Sequence, residues 1–168
     1  MKKAIVLFLS ASLCLLSCHP NDRPAIKTGF EGKPLPSFNL LLSDSTTSLN
    51  TLDIPKGQPI VLLYFSPQCP FCRAEIADII RNITTMKDVR FYLFTNWPFR
   101  TFKGFYKHYQ LDKYPNIVAG QDSANYFARY FQAAVVPYTA VYSKNKLLEQ
   151  AFIGRMNARQ IKAVAEIN

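Results

Sequence analysis

Two cysteines separated by two residues are the part of this sequence best suited to chemistry. Cys69 and Cys72 enclose a Pro-Phe dipeptide, after an apolar run that predicts a strand and before a segment that predicts a helix. A cysteine at a helix N-terminus faces unpaired N–H groups and the positive end of the helix dipole, which favour the thiolate. A cysteine one turn further on is less exposed and can attack a mixed disulfide. We therefore expect Cys69 to be the nucleophile and Cys72 the resolving cysteine.

A metal site and a purely structural disulfide are the alternatives to a redox-active pair. The chain has four cysteines and two histidines, so four metal ligands are hard to assemble once a leader carrying Cys14 is removed. A disulfide that closes so small a ring restrains little entropy in the unfolded chain. We expect no metal and no cofactor, the redox-active group being the Cys69–Cys72 disulfide itself.

The first residues of the chain predict export. Lys2 and Lys3 precede an apolar stretch over 4–16 that is too short for a stable spanning helix. The run Leu-Leu-Ser-Cys that ends at Cys18 resembles a bacterial lipobox, which implies a lipoprotein signal peptide over 1–17 and acylation of Cys18. The alternative is a plain signal peptide cut nearby, with Cys18 unmodified.

The charge of the chain has to be considered together with export. Lys and Arg number 20 against 11 Asp and Glu, a net charge of +9, which falls to +7 without residues 1–17. Such a balance is compatible with nucleic-acid binding, but export excludes most roles of that kind. Residues 18–34 are rich in Pro, Gly and charge and predict a tether between the lipidated Cys18 and a domain over 35–168. We expect a monomer in the cell envelope, lipid-anchored and facing the periplasm, in an oxidising compartment.

The rest of the sequence alternates between strands and helices. The apolar run at 60–65 predicts a strand buried on both faces, and isoleucines at helical spacing follow the cysteines. Further strands are predicted at 38–42 (an edge strand), 89–94, 117–119 and in a hairpin over 137–153, and further helices at 99–109, 122–131 and 158–165. This order predicts an α/β domain, a central mixed sheet with helices on both faces.

Three segments of the chain resemble the thioredoxin-like superfamily. They are the Cys-Pro-Phe-Cys-Arg-Ala-Glu run over 69–75, the Val-Val-Pro-Tyr-Thr run over 135–139 and the Gly-Lys-Pro-Leu-Pro-Ser-Phe run over 32–38. More narrowly, the chain resembles the redoxin group of membrane-tethered extracytoplasmic thiol–disulfide oxidoreductases, the TlpA/ResA type. The resemblance covers residues 32–168 and implies the thioredoxin fold with an N-terminal β extension.

The resemblance also implies roles for residues near the cysteines. Glu75 corresponds to an acidic residue that can take up the proton of the resolving thiol, and its spacing from Cys72 places both on one helical face. An ordinary solvated carboxylate is the alternative for Glu75. Pro137 corresponds to a cis-proline that faces the disulfide, where the residue before it offers its backbone to the substrate chain. Without the resemblance, Pro137 would be interpreted only as a residue at the start of a strand.

Substrate binding and the direction of electron flow complete the sequence-based hypothesis. Pro70, Phe71 and Val136 are predicted to bind substrate. The chain departs from thioredoxins at Gln68, where they usually have Trp, and at Leu63, where many have a buried Asp. The Pro-Phe dipeptide also lacks the His of strongly oxidising DsbA-type sites, so the direction of electron flow stays open.

The resulting functional prediction is a reductase of exported protein disulfides that receives electrons from a membrane thiol carrier. An oxidase of exported thiols uses the same chemistry in reverse. A peroxidase is a third hypothesis, because Ser66 lies three residues before Cys69 as in peroxiredoxins. A lipoprotein that only binds a partner and uses the disulfide as a clip is the fourth. None of these hypotheses includes nucleic acid as a partner.

Overall fold

The computed structural model describes residues 22–167, in which seven strands form one sheet. The strands are β1 (Asn39–Leu42), β2 (Ser48–Asn50), β3 (Ile60–Tyr64), β4 (Arg90–Thr95), β5 (Ile117–Gln121), β6 (Tyr138–Tyr142) and β7 (Leu148–Ile153). The helices are α1 (Pro70–Arg81), α2 (Phe99–His108), α3 (Tyr126–Phe131) and α4 (Ala158–Ala165). Short 3-10 turns occupy Thr51–Asp53, Ile83–Met86 and Leu111–Lys113.

The sheet is mixed, and β3, the strand that leads to the cysteines, is an interior strand. The spatial order is β2-β1-β5-β4-β3-β6-β7. Strands β3, β4 and β5 run parallel, joined by crossovers through α1 and α2, and the other pairs are antiparallel. All five residues of β3 are buried, as predicted for a strand covered on both faces. The predicted fold class is confirmed.

Two apolar cores cover the two faces of the sheet. One core packs α1, α2 and α4 against the sheet, and the other packs α3 together with residues that precede β1. The predicted stripe after the cysteines faces the first core, where Ile76, Ile79 and Met86 are buried and Ile80 and Ile83 are partly buried. The helix itself is shorter than predicted, because α1 ends at Arg81 and Met86 lies in the 3-10 turn that follows. Both cores meet at β3, so the end of that strand is held firmly from both sides.

Helix α3 begins later than the sequence pattern predicts. The sequence predicts that Asp122 or Ser123 caps a helix that continues to Phe131, and the helix begins at Tyr126. The Asp122 carboxylate, which is fully buried, still accepts hydrogen bonds from the N–H groups of Tyr126 (3.0 Å) and Phe127 (2.9 Å). The capping role of Asp122 is therefore confirmed, although a turn separates it from the helix.

The prediction of β1 as an edge strand is wrong. Strand β2, which the sequence analysis missed, pairs with β1 and places Leu40 opposite Leu49. On its other side β1 pairs with β5, opposite Gly120. A Cβ atom at Gly120 would lie 2.9 Å from the Leu40 Cβ, so the absence of a side chain there lets the two strands approach. Strand β1 is therefore an interior strand.

The described part of the predicted tether is attached to the domain. The N–H of Ile26 donates to the Ala151 carbonyl (2.8 Å) and the N–H of Gly32 to the Leu148 carbonyl (2.8 Å). These bonds satisfy polar groups at the outer edge of β7, which would otherwise be an open sheet edge. Over 22–34 the tether prediction is therefore wrong.

The remaining N-terminal predictions fall on residues that the structure does not describe. The signal peptide over 1–17, the acylated Cys18 and the first residues of the tether all lie outside 22–167. Within 22–167, no helix combines the length and the apolar character that a membrane crossing requires.

Candidate active site

Both cysteines lie where β3 gives way to α1. The turn between them and the strand is fixed by hydrogen bonds: the Cys69 N–H donates to the Ser66 carbonyl (3.1 Å), and the Arg73 Nε donates to the Pro67 carbonyl (2.7 Å). Cys69 is the N-cap residue of α1, and Pro70 occupies the first helical position, where no N–H is needed. The strand, the turn and the first helical turn thus hold the Cys69 sulfur in one place.

The two sulfur atoms differ in exposure. Both cysteines are free thiols, Cys69 half-buried and Cys72 fully buried. The Cys69 Sγ accepts a hydrogen bond from the Cys72 N–H (3.4 Å). Burial raises the pKa of the Cys72 thiol well above its usual range, and negative charge at Cys69 or Glu75 raises it further. The Cys69 sulfur can therefore contact another molecule, while the buried Cys72 thiol stays protonated.

The loop before β6 lies against the Cys69 sulfur. The Val136–Pro137 bond is cis, as predicted, and the Cys69 Sγ is 3.8 Å from the Val136 carbonyl oxygen. This proximity follows from the sheet, because β6 is the antiparallel neighbour of β3 and Tyr138 pairs with Tyr64 at the end of that strand. The structure therefore brings Cys69, Val136 and Pro137 together.

Glu75 is a buried carboxylate. Its side chain is fully inaccessible and accepts hydrogen bonds from the Thr139 hydroxyl (3.0 Å) and the Met156 N–H (3.1 Å). Burial raises the pKa of Glu75 to about 7, although both hydrogen bonds and the nearby Arg155 charge act in the opposite direction. The alternative of a solvated carboxylate is therefore wrong. The role of Glu75 toward the Cys72 proton stays a prediction.

Comparison with known families finds no family model that matches this chain. No curated protein matches it either.

Solved structures do resemble it. A secreted disulfide oxidoreductase from Mycobacterium tuberculosis aligns with a TM-score of 0.63 and 17% identity, over 76% of this chain and 93% of that one. The thioredoxin domain of a thiol-disulfide oxidoreductase from Bacteroides vulgatus aligns with a TM-score of 0.64 and 14% identity, over 81% and 95% of the two chains. AhpC from Enterococcus faecalis aligns with a TM-score of 0.67 and 14% identity, over 82% of this chain and 90% of that one.

The chain has the thioredoxin fold. At these identities the likeness establishes the architecture, and the chemistry has to be argued from the residues. In this thioredoxin fold the dithiol lies at the N-terminus of α1, at the carboxyl end of β3, one of the three parallel strands. That edge is where loops from several strands converge in an open α/β sheet.

The predicted substrate-binding residues lie around the dithiol of the thioredoxin fold. Pro70 and Phe71 are exposed, Phe71 with a relative accessibility of 60%, and Val136 is half-buried. Leu63, which stands where many thioredoxins have a buried Asp, is fully buried. Glu75 is therefore the buried carboxylate that the structure places one helical turn from Cys72.

Sequence reasoning missed the partners that hold Glu75. Thr139 belongs to the Val-Val-Pro-Tyr-Thr run over 135–139. Its position two residues after Pro137, on the same side of the extended chain, was the signal that could have found it. Met156 contributes only a backbone N–H, so no feature of its side chain could have indicated this contact.

No group of three or more His, Cys, Asp or Glu side chains within the described part of the chain could hold a metal ion.

Proposed function

We propose that this protein is a thiol–disulfide oxidoreductase that acts through Cys69 and Cys72 on disulfides of exported proteins. The observation that carries the proposal is the position of the Cys69 Sγ. It is partly accessible, receives the Cys72 N–H at 3.4 Å and lies 3.8 Å from the Val136 carbonyl. A donor N–H stabilises a thiolate, and a backbone carbonyl beside the sulfur can accept a hydrogen bond from a bound chain.

In the proposed reduction, the Cys69 thiolate attacks one sulfur of a substrate disulfide. The substrate S–S bond breaks, a mixed disulfide forms, and the first substrate thiolate leaves and is protonated by solvent. Cys72 then loses its proton and attacks the Cys69 sulfur, which releases the second substrate thiolate. The substrate has gained two electrons, and the enzyme is left with a Cys69–Cys72 disulfide.

The high pKa of the Cys72 thiol explains why the second step needs a proton acceptor. We assign this role to Glu75, one helical turn away, because a carboxyl with a pKa of about 7 exchanges protons readily near neutral pH. Pro70, Phe71 and the Val136 backbone are proposed to contact the substrate chain. An electron donor with a thiol, which we propose to be a membrane carrier, restores the reduced enzyme.

The roles of the two cysteines are tested by trapping. Cys72→Ser is expected to accumulate mixed disulfides with substrate proteins through Cys69, because the resolving thiol is missing. Cys69→Ser is the matched control and is expected to trap none, since the buried Cys72 cannot reach a substrate. Non-reducing electrophoresis followed by mass spectrometry of the trapped species measures both. Trapping by Cys69→Ser alone would reverse the assignment.

The direction of electron flow is tested by a redox titration of the Cys69–Cys72 pair in glutathione buffers. We propose reduction, because the Pro-Phe dipeptide lacks the His of strongly oxidising sites and Glu75 is available as a base. A potential near the roughly −270 mV of thioredoxin supports it, and one near or above about −120 mV would make the protein an oxidase. The peroxidase hypothesis instead requires turnover of hydrogen peroxide, and a binding lipoprotein would be inert to dithiols.

We further propose that the protein is anchored in the cell envelope through an acylated Cys18. The proposal is supported by the Leu-Leu-Ser-Cys run at the end of an apolar leader. Mass spectrometry of the membrane fraction should find a lipid-modified N-terminal peptide that begins at Cys18. A mature chain with an unmodified Cys18, recovered without membrane, would refute it.

A further inference from the structure

A groove of about 370 Å³ lies beside the turn that carries the reactive sulfur. Its walls are Phe71, Met156, Asn157 and two arginines, Arg23 and Arg155. Phe71 is the second residue after Cys69, so a chain lying in this groove would touch the turn on which the sulfur sits. Among the described residues, no Asp or Glu side chain lines the groove.

Arg23 is held at this place by the docked N-terminal segment. Its N–H donates to the Gln160 Oε1 (2.9 Å), and the Gln160 Nε2 donates to its carbonyl (2.5 Å). The Arg23 Nε donates to the Arg155 carbonyl (3.3 Å). These three bonds tie Arg23 to α4 and its guanidinium to the Arg155 backbone, so the Arg23 charge is positioned before any ligand arrives.

The positive charge of the groove is only partly balanced from within the described residues: the Arg155 charge acts on the nearby Glu75 and Asp78 carboxylates, and the Asn157 Nδ2 at the groove wall donates to the Asp22 Oδ1 (3.1 Å). Of the three ion pairs in the described part of the chain, none includes Arg23 or Arg155. The neighbouring Arg159, by contrast, pairs with Asp22 at 2.7 Å. The two carboxylates of α1 have other partners: Glu75 accepts from Thr139 and Met156, and Asp78 pairs with Arg81. The groove therefore favours an anion.

A second groove adjoins the same turn and has the same sign of charge. It has a volume of about 400 Å³ and is bordered by Pro67 and Gln68, which immediately precede Cys69. The basic side chains in its lining are Arg73 and His108, and no carboxylate in the described part of the chain lines it. Both grooves beside the reactive turn are thus lined by basic and not by acidic groups.

We infer, on the basis of the proposed function, that the substrates are proteins whose disulfide is flanked by acidic residues. Arg23 and Arg155 bind a carboxylate on one side of the target cysteine, since guanidinium groups form paired hydrogen bonds with carboxylates. Phe71 packs against an apolar neighbour of that carboxylate. Charge of one sign lining a cleft raises the association rate of an opposite charge by about 10 to 10³-fold and makes the rate depend on salt.

The test uses peptides that differ only in charge. Each carries one cysteine joined to a thiopyridine leaving group, with two Asp, two Asn or two Lys residues beside it. The rate of mixed-disulfide formation by the Cys72→Ser form is followed through release of the leaving group. Each rate is divided by the rate of the same protein with the disulfide of mercaptoethanol, a small neutral molecule, so that effects on Cys69 itself cancel.

The Asp peptide is expected to react at least about tenfold faster than the Lys peptide in about 0.01 M salt, where the screening length is about 30 Å. The preference should vanish in about 1 M salt, where that length is about 3 Å. The double variant Arg23→Gln with Arg155→Gln should lose most of the preference. The matched control is Arg129→Gln, which removes an exposed charge from α3 on the other face of the sheet and should retain it.

The outcomes separate this inference from the proposed function. Reaction with the neutral disulfide but equal rates for the three peptides would overturn the inference and leave the oxidoreductase intact. A preference that the double variant retains would also overturn it. Arginine variants that weaken binding to phosphatidylglycerol vesicles but leave the peptide preference unchanged would assign the groove to membrane lipid instead. No reaction of Cys69 with the neutral disulfide would refute the proposed function, and this inference with it.

Discussion

Replacement of Glu75 by Gln is expected to change how the stability of the fold depends on pH. The Glu75 carboxyl is fully buried, and burial raises its pKa from an ordinary 4.5 to about 7. Gln is nearly isosteric and can keep both contacts, because its carbonyl can accept from the Met156 N–H while its amide donates to the Thr139 hydroxyl. The substitution therefore removes the titration and preserves the packing.

The size of the effect follows from linkage between proton binding and folding. Between the unfolded and the folded pKa, the folded protein holds a proton that the unfolded chain has released. The free energy of unfolding therefore falls as pH rises, by about 1.4 kcal/mol per pH unit. A raised pKa of about 7 gives a total loss of roughly 3 kcal/mol above neutral pH. Glu75→Gln should lack this loss, so its stability relative to the unsubstituted protein should increase by about that amount between about pH 4 and about pH 8.

Urea denaturation of the reduced proteins at several pH values measures this difference. The control is Glu166→Gln, which removes an exposed carboxylate just after α4 and should leave the pH dependence unchanged. The reasoning is refuted if the unsubstituted protein and Glu75→Gln show parallel curves across this pH range.

Three further substitutions test the elements that surround the site. Asp122→Ala leaves the buried Phe127 N–H and the partly buried Tyr126 N–H at the start of α3 without their acceptor. It should lower the free energy of unfolding by about 1–3 kcal/mol in urea titrations; an unchanged midpoint would contradict the capping role. Gly120→Ala should cost about 1–3 kcal/mol because the new methyl meets the Leu40 Cβ at 2.9 Å. Gly104→Ala, where the methyl meets no atom within 4 Å, should instead stabilise α2 by about 0.5–1 kcal/mol, and equal effects of the two substitutions would refute the close approach of β1 and β5.

Local pattern was sufficient to predict the framework of the fold. The continuous apolar run at 60–65 predicts a strand that is buried on both faces, and all of its residues are buried. The isoleucine spacing of α1 predicts one apolar face, on which Ile76 and Ile79 are fully buried and Ile80 is partly buried. Strand β2 is three residues long, has no fully buried residue and forms only because β1 lies beside it. Residues 22–34 have the composition of a linker, and their hydrogen bonds to the rest of the domain go mainly to β7 and α4, more than a hundred residues away. Such non-local pairing leaves no local signal.

The candidate site also combines residues that could be predicted from the sequence with contacts that could not. Cys69, Cys72 and Pro137 could be found from motifs because their chemistry depends on residue type and spacing. The depth at which Glu75 is buried could not, because it depends on Thr139 and Met156 approaching from two other parts of the chain. The groove lined by Arg23 and Arg155 could not be predicted from sequence either, since these two residues are brought together only when the N-terminal segment docks.

The docked N-terminal segment has a consequence for where the protein can work. Arg23 and Phe71 line one groove, so the chain enters the domain on the side of the reactive cysteine. Four peptide units separate Asp22 from Cys18, and they span at most about 14 Å. If Cys18 carries a lipid, this short connection would keep the reactive sulfur near the bilayer surface. Encounters with the proposed electron donor in the membrane would then depend on lateral diffusion and on the number of donor molecules per membrane area. The length of the connecting segment would set the effective concentration of the reactive sulfur at the membrane surface.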